Sequence, residues 1–457
     1  MRQRAFVLVL VLSLALAASQ APGQFIARDP GVRGGPAGAG GMLDGLTQGQ
    51  KDVFDAGLED FSEQDMIGSG LGPRFNLDSC AGCHAQPATG GTSPAINPQV
   101  DVATAYGARN IVPSFVRLDG PVREARFKYK ADGSRDGGVH ALFVISGRVD
   151  PTGDASGCTI KQDDFAGNLL RNNVIFRIPT PTFGAGLIEA IQDSTIVANQ
   201  KASSTLKFSF GIGGRPHWIL PTGDPNRNGN DGTIARFGWK AQNKSLLLFA
   251  GEAYNVEQGI TNELFPTERD ETPSCQFADV PNDTTNHDGA GAPEVLAGIQ
   301  KFAFFMKFLA PPAPSPDTPG GAASIARGRV LFVATGCALC HTPTLVTGPS
   351  SMAAFDRQPV NLYSDLLLHN MGAGLADDIL QGSAGGDEFR TAPLWGLGQR
   401  IFFLHDGRTD DLLEAIRAHR SAATLRYRAS EANVVIDRFR ALGEAQKQDL
   451  LNFLRSL

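Results

Sequence analysis

Two short motifs carry the residues most able to do chemistry in this chain. The first is CAGCH at residues 80–84, and the second is CALCH at residues 337–341. Both have the pattern C-x-x-C-H, which is the attachment signal for a c-type haem. Two such thiols can each form a thioether to a haem vinyl group, and the imidazole that follows can then bind the iron. The sequence therefore predicts two covalently bound haems. Their predicted ligands are Cys80, Cys83, His84, Cys337, Cys340 and His341.

Two other uses of paired cysteines fit the sequence less well. A structural zinc site built from both C-x-x-C pairs would leave the two following histidines without a role. A thioredoxin-like redox pair would need a βαβ pattern around the motif, and neither copy has one. Haem attachment is therefore the favoured interpretation of both motifs.

The length of the chain and its first residues indicate an exported protein of several domains. The chain has 457 residues, which is enough for two or three domains. An apolar run over residues 5–18 follows Arg2 and Arg4. Small residues come next, so the pattern is typical of a secretory signal peptide cleaved between Ala17 and Ala21.

The net charge and the hydropathy of the chain argue against a nucleic-acid partner and against a membrane span. The formal net charge of −6 argues against a nucleic-acid partner, because phosphates need a basic surface. No later stretch is long and apolar enough for a membrane span. We therefore expect a periplasmic or otherwise exported protein. In that location the two remaining cysteines, Cys158 and Cys275, could form a disulfide.

Composition and pattern predict five segments. The signal peptide of residues 1–21 is followed by a flexible arm rich in Gly, Pro and Ala at residues 22–45. Residues 46–310 are predicted to form a first haem domain, enlarged by a β-rich insertion of short strands. Residues 311–321 predict a stiff Pro-rich linker, and residues 322–457 a second, cytochrome c-like haem domain. The predicted fold class is mainly α.

Apolar residues at helical spacing predict the main helices. These are expected over residues 48–60, from Leu187, from Phe237 through Ala253, over residues 295–309, and at the end of the chain up to Leu457. The last of these should cross the helix before the second motif and close off its haem.

One polar loop partly resembles a calcium loop. Residues 224–232 carry oxygen-bearing side chains at alternate positions, but the twelfth position holds Ala235 where calcium loops have Glu. A plain polar loop is the better interpretation, and calcium stays the alternative.

Six further motifs resemble those of the di-haem oxidoreductase (DHOR) family, also described as thiol oxidoreductases. They are GPRFN at 72–76, FGWKA at 237–241, LHNMG at 368–372, RTAPLWGLG at 390–398, FLHDGR at 403–408 and EAIRAH at 414–419. The resemblance covers nearly all of the chain after about residue 45. More distantly, the chain is similar to bacterial di-haem cytochrome c peroxidases and MauG-type enzymes. In those enzymes the N-terminal haem is the peroxide site and the C-terminal haem transfers electrons.

The resemblance implies roles for three residues. His419 lies on the helix that supplies the sixth ligand of the C-terminal haem, so we expect iron ligation by His341 and His419, with Met371 as the alternative ligand. Trp239 matches a tryptophan that sits between the two haems and would assist electron transfer. Glu257 resembles the distal glutamate, although its spacing from the tryptophan is two residues short. A carboxylate there would move a proton of bound peroxide.

Together these features predict an exported di-haem c-type cytochrome that acts as a peroxidase-like oxidoreductase. Its expected partners are hydrogen peroxide or another small oxidant, and a small cytochrome or cupredoxin that exchanges electrons with it. The peroxidase resemblance also implies a calcium ion, whose ligands the sequence does not place. Two alternatives stay open. One is an electron carrier whose haems are both closed by protein ligands, and the other is an oxidoreductase for thiols or other small molecules.

Overall fold

A computed structural model describes residues 25–219 and 233–457. The predicted signal peptide and the candidate calcium loop at residues 224–232 lie outside the described residues. Across the two described ranges, no helix has the length and the apolar character needed to cross a bilayer.

Helices and very short strands alternate with long loops. The α-helices are α1 (Gln48–Ser62), α2 (Cys80–Cys83), α3 (Gln99–Val102), α4 (Phe165–Leu170), α5 (Ala185–Ala190), α6 (Asp193–Lys201), α7 (Ser204–Ser209), α8 (Leu246–Ala253), α9 (Ala292–Val295), α10 (Gly298–Phe308), α11 (Ala322–Thr335), α12 (Leu412–Ala418), α13 (Asn433–Ala441) and α14 (Glu444–Ser456). A π-helix, Tyr254–Gln258, continues α8.

The strands pair in small antiparallel sheets. They are β1 (Arg74–Phe75), β2 (Glu124–Phe127), β3 (Val139–His140), β4 (Phe143–Val144), β5 (Val149–Asp150), β6 (Gly153–Asp154), β7 (Val174–Arg177), β8 (His217–Trp218), β9 (Ile234–Ala235), β10 (Leu345–Val346), β11 (Pro359–Val360), β12 (Leu368–Asn370) and β13 (Glu388–Arg390). The largest sheet has the strand order β3-β2-β7, and the others are two-stranded pairs.

The structure contains the expected β-rich region, since β2 to β7 all lie between residues 124 and 177. A disulfide joins Cys158 of this region to Cys275, in the loop after the π-helix. Both cysteines are buried in one apolar cluster with Phe75 and Phe143. That this region is an insertion into a haem domain stays a prediction.

Helix α1 shows how local sequence places an element beside the first motif. The Thr47 side chain accepts a hydrogen bond from the backbone N–H of Gln50, whose side chain accepts one from the N–H of Thr47. This reciprocal pair satisfies two donors at the helix start. Further along, Gly57 has so little room that a Cβ there would lie 2.4 Å from the carbonyl oxygen of Lys301. Helices α1 and α10 therefore pack closely.

Helices α11 and α14 close the second half of the chain, as predicted for the last helix. A Cβ added at Gly328 would lie 2.0 Å from the carbonyl oxygen of Asp449, so α11 and α14 are in close backbone contact there. The rings of Phe332 and Phe453 pack with centroids 5.4 Å apart. Phe332 also lines the cavity beside the second C-x-x-C-H motif, so this helix pair forms one wall of that cavity.

The largest buried cluster crosses the Pro-rich segment at residues 311–321. It contains Phe54 and Phe305 from before the segment, and Leu362 and Trp395 from after it. The apolar core is therefore continuous across the predicted boundary. The division of the chain into two haem domains stays a prediction.

The segment predicted to be a flexible arm is packed onto the second half of the chain over residues 25–45. Asp29 forms a buried ion pair with Arg455, with 2.5 Å between nitrogen and oxygen. Asp29 also accepts a hydrogen bond from the N–H of Leu412, at the start of α12. Arg33 donates to the carbonyl oxygen of Ala313. The buried Arg455 guanidinium needs a carboxylate partner, and Asp29 of this segment supplies it. Composition alone did not indicate these contacts.

The helix predicted over the FGWKA motif begins later, at Leu246. Gly238 has φ of +83° and Ala241 has φ of +52°, and neither conformation belongs to a right-handed helix. Ser245 then caps α8 by accepting a hydrogen bond from the N–H of Leu248. The motif is therefore a tight loop, and this loop carries Trp239.

Candidate functional site: two haem cavities

The first C-x-x-C-H motif lines a cavity of about 1080 Å³, which we call cavity 1. Cys80 and Cys83 lie on the single turn of α2, and His84 follows directly. The side chains of Trp239 and Glu257 line the same cavity. Much of the remaining wall is apolar, with contributions from Phe61, Phe249, Ala250, Phe302 and Met306.

The second motif lines a larger cavity of about 1410 Å³, which we call cavity 2. Its wall is formed by apolar side chains of α11, α12, α13 and α14, by the motif itself, and by residues between 369 and 405.

His84 and His341 are held in the same way. Nδ1 of His84 lies 2.9 Å from the carbonyl oxygen of Gly91, and Nδ1 of His341 lies 3.0 Å from that of Tyr363. Because a carbonyl can only accept, we assign the proton to Nδ1, which leaves the lone pair on Nε2. Burial lowers the pKa of each histidine to about 4. Both imidazoles are therefore neutral at pH 7 and able to bind iron through Nε2.

His419 repeats this arrangement in cavity 2. It follows α12, and its Nδ1 lies 2.8 Å from the carbonyl oxygen of Ala415. Burial lowers the pKa of His419. Beyond the effect of burial, the charge of His419 also lowers the pKa of His341, so the two rings are close enough to interact. Cavity 2 thus contains two backbone-anchored histidines, each with Nε2 available.

His369 also lines cavity 2, but both of its ring nitrogens are occupied. Nε2 lies 2.9 Å from Asp365 and Nδ1 lies 2.7 Å from Glu431. Ligand atoms of Cys340, Asp365 and His369 lie within 4.8 Å of one another. Cys340 belongs to the second haem motif, however, and a thioether sulfur would not be a thiolate ligand for a metal. We therefore interpret His369 as a buried charge partner of the two carboxylates.

Met371, the alternative sixth ligand, lines cavity 2 as well. His405 is a further histidine of this wall, and its ring stacks on Phe389 with centroids 4.4 Å apart. Burial lowers the pKa of His405 to about 4. His419 differs from both, because its Nδ1 lies near a backbone carbonyl in the same way as that of His341.

Cavity 1 offers a different set of groups. Among the described residues that line it, His84 is the only histidine. Apart from the motif cysteines, Met306 and Tyr254 are the other lining residues of types that bind haem iron. The Tyr254 hydroxyl is hydrogen-bonded to Asp65 at 3.2 Å. The two cavities therefore differ in the number of imidazoles that each can present to a haem.

Glu257 lies in the π-helix that continues α8, and π-turns within helices are frequent at functional sites. Burial raises its pKa to about 8, and the charges of Glu124 and Glu252 act in the same direction. A carboxyl group with that pKa can hold a proton at neutral pH and exchange it. The structure thus places a titratable acid in the wall of cavity 1.

Trp239 lines both cavities. Its indole Nε1 donates a hydrogen bond to the carbonyl oxygen of Ile178 at 2.9 Å, and its own carbonyl accepts one from the N–H of Arg390. The ring meets His405 edge-on, with centroids 6.4 Å apart. The indole is therefore held in a defined position between the two cavities.

Unpaired polar atoms in cavity 1 also suit a haem. Asn76 Nδ2, Arg123 Nε and Arg177 Nε are buried and have no hydrogen-bond partner among the described residues, and all three residues line cavity 1. A buried donor without an acceptor costs about 1–3 kcal/mol. A haem brings two propionate carboxylates that could accept such bonds. Thiols, anchored histidines, apolar walls and unpaired donors are together what a c-type haem requires.

Replacing His419 with alanine should change the ligation of the second haem. Loss of one of two imidazoles should abolish the bis-histidine low-spin ferric signal, which electron paramagnetic resonance and visible spectra detect. The matched control is Met371→Ala, which should leave that signal unchanged. If Met371→Ala alters the spectrum and His419→Ala does not, methionine is the ligand.

Comparison with known families places the chain. A family profile described as "Di-haem oxidoreductase, putative peroxidase" matches residues 125–457. The match covers well over half of the chain. The protein belongs to the di-haem oxidoreductase family. This match confirms the family predicted from the six sequence motifs. Membership of this family identifies the protein as an oxidoreductase. The matched part of this di-haem oxidoreductase includes the second haem motif, while the first, at residues 80–84, precedes it.

Three solved structures are similar to this di-haem oxidoreductase at low sequence identity. Hydrazine synthase from Kuenenia stuttgartiensis is 12% identical with a TM-score of 0.35, and the match covers 99% of this chain and 100% of that one. The diheme peroxidase BthA from Burkholderia thailandensis E264 is 16% identical with a TM-score of 0.29, over 48% and 65% of the two chains. A MauG-like protein associated with microbial copper homeostasis is 18% identical with a TM-score of 0.27, over 61% and 90%. No curated protein matches the chain.

The structure sorts the site residues predicted from sequence into two groups. Trp239 and Glu257 join the first motif in cavity 1, and His419 and Met371 join the second in cavity 2. Their roles stay predictions. Sequence reasoning missed Arg390 and Arg400, which both line cavity 2. Their position in and beside the RTAPLWGLG motif was the available signal.

Proposed function

We propose that this protein is an exported di-haem c-type oxidoreductase that reduces peroxide at the first haem and receives electrons through the second. One observation carries this assignment. Cavity 1 combines a single histidine with a titratable carboxyl group, whereas cavity 2 holds His341 and His419, each with an available Nε2. The first site can thus keep a position for a small oxidant, and the second is suited to electron transfer.

The chain supplies the attachment and orientation of each cofactor. Cys80 and Cys83 would hold the first haem and Cys337 and Cys340 the second, with the imidazoles oriented by their Nδ1 hydrogen bonds. When bound, each haem supplies an iron centre that exchanges single electrons and can bind a small oxidant. With the haems bound, the apolar side chains of both walls would reduce contact with water, which would strengthen electrostatic interactions inside the cavities.

Glu257 would perform the proton transfers of the reaction. Reduction of hydrogen peroxide takes two electrons and two protons and yields two waters. The Glu257 carboxylate would accept the proton of one peroxide oxygen and deliver it to the other, which leaves as water. A pKa of about 8 suits both halves of this transfer near neutral pH.

Trp239 would assist electron transfer between the two sites. Its indole lines both cavities, and its hydrogen bond to Ile178 fixes the ring. The electrons would come from a small cytochrome or cupredoxin outside the cell's cytoplasm. The Cys158–Cys275 disulfide is consistent with such a location.

Spectroscopy of the purified protein tests the proposal. We expect two haems that survive acid-acetone extraction of the denatured protein. We also expect a high-spin ferric band that shifts when cyanide or hydrogen peroxide is added, because one haem has an open position.

Two outcomes would contradict the proposal. A mass equal to that of the bare chain, from a host with working cytochrome c maturation, would exclude covalent haem. If both haems are low-spin in every redox state and ignore cyanide and peroxide, the protein is an electron carrier with two closed haems.

A further inference from the structure

Two buried arginines of cavity 2 lack a carboxylate partner. Arg390 and Arg400 are each 8% exposed, and both line cavity 2. The Arg390 guanidinium donates only to backbone, from Nε to the carbonyl oxygen of Gly238 at 3.0 Å and from Nη1 to that of Thr391 at 3.5 Å. Within residues 25–219 and 233–457, neither arginine has a carboxylate oxygen within 4.0 Å, and the Arg400 guanidinium has no hydrogen-bond acceptor.

Among the described residues, four of the five other buried arginines are in ion pairs. The exception is Arg33, which donates to the carbonyl oxygen of Ala313 and lines none of the three cavities. The ion pairs are Arg148 with Asp78 and Asp150, Arg177 with Asp377, Arg236 with Asp193, and Arg455 with Asp29. An unpaired buried cation carries a large desolvation cost. Two such cations in the wall of one cavity therefore indicate an anionic ligand that brings two negative charges.

The position of the two arginines indicates where that anion lies. Both also line a smaller cavity of about 590 Å³, cavity 3. Trp239 lines all three cavities, so cavity 3 adjoins both haem cavities. Arg390 and Arg400 therefore lie on the side of cavity 2 next to Trp239, and the Arg390 guanidinium donates to the neighbouring Gly238.

We propose that Arg390 and Arg400 bind the two propionate carboxylates of the second haem. In a c-type haem the thioethers hold one edge of the porphyrin, and the propionates lie on another edge. Cys337 and Cys340 would hold the first of these edges. A planar guanidinium can donate two parallel hydrogen bonds to a carboxylate, which suits this dicarboxylate ligand. The inference rests on the proposed second haem and does not depend on peroxide chemistry.

This contact has a consequence for electron transfer. Two imidazole ligands favour ferric iron and give a low potential. Two cations at the propionates favour the reduced haem, because reduction removes one positive charge from their vicinity. The arginine pair would therefore raise the potential of the second haem and offset part of the effect of its ligands.

Redox titration of the two-haem protein tests the proposal. Arg400→Gln should lower one of the two midpoint potentials. At fixed applied potential the ratio of reduced to oxidised haem should fall about tenfold, which corresponds to about 59 mV for a one-electron couple. Arg390→Gln should lower the same potential, and Arg400→Lys, which keeps the charge, should lower it much less.

The matched control is Arg357→Gln. It removes the same charge from a side chain that is 67% exposed and paired with Asp356, and it should shift neither potential. A second readout is the propionate bending vibration in the resonance Raman spectrum. It should change in Arg390→Gln, Arg400→Gln and Arg400→Lys, since lysine cannot form the two parallel bonds, and should not change in Arg357→Gln.

Two results would overturn the proposal. One is an unchanged pair of midpoint potentials in both glutamine variants. The other is an equal fall of both potentials with unaltered propionate vibrations, which would indicate a long-range charge effect. If Arg400→Gln does not fold, Arg400→Lys and Arg390→Gln decide the question through the vibrational change. None of these measurements uses peroxide, so a failure of the peroxidase proposal would be separately visible.

Discussion

Replacement of Glu257 with glutamine should lower peroxide turnover by about 10²–10⁴-fold, the usual contribution of general acid–base catalysis. The amide keeps the shape of the side chain but cannot accept and return a proton. Glu257 lines the same cavity as His84, as such a proton transfer requires. The measurement is steady-state turnover at equal haem content, with hydrogen peroxide and a reduced small cytochrome as the electron donor.

The same residue predicts a dependence on pH. Burial raises the pKa of Glu257 to about 8, so its deprotonated form becomes more populated as the pH rises through that value. The deprotonated form is the one that accepts the peroxide proton. The value of kcat/KM should therefore rise with pH and level off above about 8, and Glu257→Gln should lose this rise.

Glu252→Gln is the matched control for this experiment. Glu252 lies on α8, its carboxylate accepts a hydrogen bond from Asn243, and it is not among the residues that line cavity 1. Its charge is one of the causes that raise the pKa of Glu257. The control should keep most of the turnover and move the rise to lower pH. Full turnover by Glu257→Gln with both haems bound would exclude the proton-transfer role.

Loss of the Cys158–Cys275 disulfide should lower the free energy of unfolding by about 2–5 kcal/mol. The two cysteines are separated by 117 positions, and a crosslink that closes a long loop restricts the unfolded chain strongly. Both residues are also buried in one apolar cluster. The comparison is denaturant unfolding of the double variant Cys158→Ala/Cys275→Ala against the unmodified protein.

Treatment with a disulfide reductant is the control for this prediction. A disulfide reductant should lower the unfolding midpoint of the unmodified protein and leave that of the double variant where it is. Thioethers to haem are not cleaved by such reductants, so the cofactors should stay attached in both. Rapid labelling of both thiols in the unfolded, non-reduced protein would show that the disulfide does not form in solution.

The sequence alone determined the features that depend on neighbouring residues. A C-x-x-C-H motif is a local pattern, because the thiols and the imidazole of one haem lie within five residues. Helices α1, α10 and α14 also follow from local spacing, and α1 begins within a residue of its predicted start because Thr47 and Gln50 form a capping box. The DHOR motifs were equally local, and the family predicted from them is confirmed.

Tertiary structure decided the features that depend on distant residues. The FGWKA segment is predicted to begin a helix, yet the positive φ angles at Gly238 and Ala241 make it a loop that carries Trp239 to both cavities. Residues 25–45 look flexible by composition, but Asp29 is held by Arg455 from the other end of the chain.

The lack of a carboxylate partner at Arg390 and Arg400 is the clearest feature that the sequence alone could not predict. Their residue type and their spacing in the sequence do not show that the folded chain places no carboxylate within reach of them. Burial and charge pairing are set by residues that are remote in sequence, so they become visible only when the chain is folded.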